Sequence, residues 1–178
     1  LYMTSLLIDK IKKNRFSEIS VFSSLEETNH EKAVKQDRGF VMITRLAALL
    51  HDLTVVGFSH TLGKEGNLFA EQWEDEYAVT SLIGCQSEIY GKIVDYVKRL
   101  VQESFAKVDE TKCEEYARRF TNTLLTYVLK VLKFPDRKAT RLCNDMYGSD
   151  LWTDMMDERF IGVASQIVLN TICADLLD

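Results

Sequence analysis

The chain has 178 residues, 46% of them hydrophobic, with a formal net charge of −5 and a single proline. That length and apolar fraction supply one core, so the chain reads as one domain or most of one. The acidic balance excludes broad nucleic-acid binding by charge, leaving only a local basic pocket open. No stretch approaches the ~20 apolar residues of a membrane span, and no secretory pattern stands at Leu1. The four cysteines, Cys85, Cys113, Cys143 and Cys173, form no CxxC. They read as reduced core thiols of a cytoplasmic protein rather than as a zinc ribbon or two disulfides. A chain opening on Leu1 also reads as a fragment, or as a sequence from which disordered segments are missing.

Helical periodicity dominates, and strand-like alternation is confined to Ile19–Phe22, which predicts an all-α fold. Leu1–Lys13, with Leu6, Leu7 and Ile11 and a basic tail, predicts a helix. Phe16–Thr28 stays ambiguous between loop and helix. His30 opens a polar helical stretch that Gly39 is expected to interrupt. The next helix, about Phe40–Leu53, puts Ile43, Leu46, Ala47 and Leu50 on one face, and His51, four residues after Ala47, on the same inward stripe.

Thr54–Asn67, with Gly57, Gly63 and Gly66, reads as a loop, and Leu68–Leu82 as a helix. Ser87 is expected to cap a helix running to about Phe105, on which Ile89, Ile93, Tyr96, Val97 and Leu100 repeat at helical spacing. Asp109 or Thr111 caps the next, a long stripe of Tyr116, Phe120, Leu124, Tyr127, Val131 and Phe134 that Pro135 ends. Asp136–Asn144 is short and basic, a turn falls at Gly148-Ser149, and a last helix spans about Glu158–Asp178. No internal repeat or low-complexity linker appears.

The stretch around which the rest is organised is Leu46–Leu68. A small aliphatic run there delivers the polar pair His51-Asp52, and a second histidine, His60, follows in a Gly-punctuated segment. A buried charge is costly unless paired or bound to a metal, and imidazole with carboxylate is a mixed N/O donor set. A polar C-terminal turn is the alternative, with His51 favouring the helix dipole. Near the end, Ile167, Val168, Thr171, Ile172 and Asp175 share one helical face, so Asp175 is either a carboxylate on an apolar stripe or part of a frayed terminus.

The wording Ala47-Ala48-Leu49-Leu50-His51-Asp52-Leu53, followed by Phe58-Ser59-His60-Thr61-Leu62, resembles the HD-domain metal-dependent phosphohydrolases. It is most like the branch that includes deoxynucleotide triphosphohydrolases, whose second motif runs A-L-L-H-D-[IL]-x-x-x-x-F-[SG]-H-x-L. Thr171–Asp178 resembles that family's late D-x-x-D-Y block, with Asp175 at the position of the last metal ligand and Asp178 at that of the second aspartate. The resemblance implies an HD-type helical bundle in which His30, His51, Asp52 and Asp175 converge on a divalent ion: manganese, iron, zinc, nickel or magnesium. His30 can equally be a solvent-facing residue of a polar helix.

The implied activity is hydrolysis of a phosphate ester, with a nucleotide or similar small phosphate as substrate and a homo-oligomer as an open assembly state. A divalent ion lowers the pKa of bound water and neutralises phosphate oxygens, and Asp52 belongs to that catalytic group. His60 would orient the ligands or give a proton to the leaving oxygen; the alternative is a hydrogen bond within its own loop. Lys64, Arg137, Lys138 and Arg141 are basic residues near predicted loops that could touch phosphate or only solvent.

Departures from the family's wording stand at Val55 and Gly57, where relatives carry histidine and proline. Another stands at Asp75-Glu76, where triphosphohydrolases carry a His-Glu pair. They point away from a dedicated triphosphate mechanism and toward a simpler phosphomonoester or nucleotide hydrolase. They also motivate a second reading, an HD-like domain without turnover that binds a ligand or a partner protein.

Overall fold

The computed structural model describes residues 30–51, 76–104, 109–133, 138–152, 155–156 and 158–169, all helices and the turns between them. In chain order these are α1 (His30–Leu50), α2 (Glu76–Ile83), α3 (Glu88–Ser104), α4 (Glu110–Leu132), α5 (Lys138–Tyr147), a 3-10 turn (Glu158–Phe160) and α6 (Ile161–Leu169). The all-α expectation holds: no strand occurs among the described residues. The expected HD-type bundle is a finer statement than this architecture carries.

The bundle is built on α4, which packs against α1, α3, α5 and α6. Its middle is apolar or threonine all the way round, Thr123-Leu124-Leu125-Thr126-Tyr127-Val128-Leu129, and every one of these side chains is buried. A helix with no polar face is one that neighbours surround. The buried threonine hydroxyl of Thr123 bonds back to the Arg119 carbonyl at 2.9 Å and accepts from the Trp152 backbone N–H at 3.0 Å, so its polarity is satisfied inside the core. The N-terminus of α4 is capped by Asp109, whose side chain accepts from the Thr111 N–H at 3.1 Å. Of the two cap candidates in the sequence, the aspartate takes the role. Ser87 caps α3 as expected, accepting from the Tyr90 N–H at 3.1 Å.

Gly39 does not interrupt α1. The helix runs unbroken through it, and the glycine sits against the Met155 backbone, where a Cβ would overlap the Met155 carbonyl oxygen. The missing side chain serves a close approach rather than a break. Phe40, next to it, packs on Phe160 with ring centroids 5.8 Å apart, joining α1 to the start of α6. The basic stretch after Pro135 forms a full helix, α5, because Ala139, Leu142, Cys143 and Tyr147 give it a buried face on α4. Tyr147 anchors that face by donating to the Ile83 carbonyl at 2.7 Å.

Gly148, at φ +75°, makes the expected turn. The last helix begins as the 3-10 turn and is described to Leu169; the part expected to reach Asp178 lies outside the described residues. So do the expected helix at Leu1–Lys13, the Ile19–Phe22 alternation, and the start of the helix expected from Leu68. Cys113 and Cys143 are core residues, but Cys85 is exposed in the α2–α3 turn, donating to the Met146 carbonyl at 3.0 Å, so the expectation of four core thiols fails there.

Candidate functional site

His51 follows directly on the last residue of α1. Its backbone N–H still bonds the Ala47 carbonyl at 2.9 Å, so the helical path carries the residue on the inward side, and the side chain is half-buried. The ring nitrogen Nδ1 lies 2.7 Å from the Ala48 carbonyl oxygen. A carbonyl only accepts, so Nδ1 carries the proton in this contact, and in the neutral ring the lone pair then falls on Nε2. Metal-binding histidines are commonly held this way, with the second nitrogen donating to a backbone carbonyl.

Of the other expected ligands, Asp52 and Asp175 lie outside the described residues, as does His60, expected to orient them or move a proton. His30 is the first residue of α1 and His51 follows its last, so one continuous helix holds them apart. At 1.5 Å per residue the separation is roughly 30 Å. Ligands to one ion stand about 2 Å from it, so this backbone keeps His30 away from any ion that His51 holds. Among the described residues no group of three or more His, Cys, Asp or Glu side chains gathers as a metal site. Of the basic candidates, Lys138 and Arg141 are exposed on α5, with Arg141 facing Asp145 at 3.8 Å; Lys64 and Arg137 are outside the described residues.

The structure shows a feature that the sequence reading missed. α1 and α3 both lean on α4, and between them lies an apolar cleft of about 650 Å³. Its floor is Leu50, Val97, Val101 and Leu124, each no more than a tenth exposed. Its rim is Leu49, Tyr96, Leu100 and Tyr116, all among the exposed large apolar residues. Tyr116 and Phe120 are braced from behind by Trp152, at 4.9 and 5.7 Å between ring centroids, so one wall is set by core packing. Among the described residues Lys92 is the only charged one in the lining.

The signal was present in α3. Its core ridge is Tyr90, Val94, Val97 and Val101, yet Ile89, Ile93, Tyr96 and Leu100 form a second apolar ridge beside it. A helix needs one stripe for its core; the second lines the cleft, together with Val97 and Val101 at its floor.

These elements define an all-helical protein with a histidine at a helix end and an open apolar cleft. No protein-family profile matches the chain, and no curated protein or solved structure is significantly similar to it.

Proposed function

We propose that this chain is a metal-dependent phosphohydrolase of the HD type, acting on a nucleotide or similar small phosphate ester. The observation that carries the reading is His51: it stands in the family-like wording Leu50-His51-Asp52, and its Nδ1 is held by the Ala48 carbonyl in the tautomer suited to ligation. His51, Asp52 and Asp175 are assigned to the cation; His30, at the far end of α1, is not. When bound, a divalent cation supplies an activated water and offsets phosphate charge. The chain's own share is to fix the imidazole through Ala48, to present the two carboxylates, and to use His60 to orient the set or move a proton to the leaving oxygen.

Elemental analysis of the purified protein, followed by a phosphatase screen on nucleotides with the metal found, tests this. The expected result is stoichiometric metal, lost in His51→Ala while the helical circular dichroism persists, and hydrolysis that depends on that metal. Full metal retention by His51→Ala would refute the assignment. A second reading, a ligand-binding domain without turnover, is favoured by the apolar cleft, whose lining among the described residues is almost wholly apolar. Metal retained with no nucleotide or monoester hydrolysed would select it.

A further inference from the structure

We draw no further inference here: the strongest candidate, the apolar cleft between α1 and α3 with Leu50, Val97, Val101 and Leu124 at its floor, carries nothing, because nothing among the described residues of the structure shows what covers it.

Discussion

Gly39→Ala and Gly91→Ala are the same chemical change on two helices, and the structure gives them opposite signs. In an unconstrained helix, replacing glycine by alanine gains up to about 1 kcal/mol of stability. Gly91 lies on exposed α3 surface with nothing within 4 Å of a built Cβ, so that gain, roughly 0.5–1 kcal/mol, should appear in full. At Gly39 the new methyl meets backbone, the Met155 carbonyl, with the Met155 side-chain Cγ at 3.3 Å. A side chain could rotate away; a carbonyl can yield only if α1 or the 155–156 segment moves. Met156 is fully buried and Phe40 is packed on Phe160, so either movement disturbs the core. Overpacking of this kind costs about 1–3 kcal/mol, and after the propensity gain the net loss should be about 1–2 kcal/mol. Urea unfolding followed by far-UV circular dichroism measures both variants against wild type. If Gly39→Ala unfolds at the same or higher urea than wild type, the close approach of α1 to Met155 is wrong.

Other expectations follow from single contacts. Asp109→Ala removes the cap on α4 and should cost about 1 kcal/mol, whereas Thr111→Ala should cost much less; equal losses would reassign the cap. Tyr147→Phe leaves the Ile83 carbonyl without this donor in the buried α5 contact and should cost about 1–2 kcal/mol in the same unfolding assay. Burial pushes the Cys143 thiol up from 9.0 to about 11, against partial relief from the Thr126 side chain and the charges of Lys130 and Lys133. The unfolded chain therefore releases this proton first as pH rises, so stability is intact below about pH 9 and is lost on the way to about pH 11, by about 2–3 kcal/mol at the upper end. Burial raises the Tyr147 hydroxyl as well, so it adds to the same loss from about pH 10 upward. Cys143→Ala should flatten the fall between those two values; an unchanged slope would mean the thiol is not buried as described.

Much of the helical framework was legible because it rests on local rules. Ser87 opens α3 since a hydroxyl before an apolar repeat satisfies a helix's first N–H groups. Phe120, Leu124, Tyr127 and Val131 read as a stripe since helical spacing brings them to one side. Gly39 shows the limit. A glycine inside a helical pattern is ambiguous between a stop and a close approach, and only the position of Met155, more than a hundred residues away, resolves it. The stretch after Pro135 was similarly under-read: its basic residues are conspicuous, while the four residues that pack it on α4 matter only once α4 is in place. At the candidate site the His51-Asp52 pair stood out in the sequence. The inward turn of His51 onto the Ala48 carbonyl and the distance that a continuous α1 sets between His30 and His51 required the backbone.

What the amino-acid order determined alone is therefore an all-helical chain, most of its caps and turns, and a polar doublet at the end of an apolar helix. These depend on spacing and on residues within one or two turns of each other. The tertiary structure decided which of two apolar ridges on α3 enters the core and which lines an open cleft, and that α4 stands at the centre. Both depend on where helices distant in sequence come to rest, and hydrophobic burial, being non-directional, leaves that choice to the fit between whole surfaces.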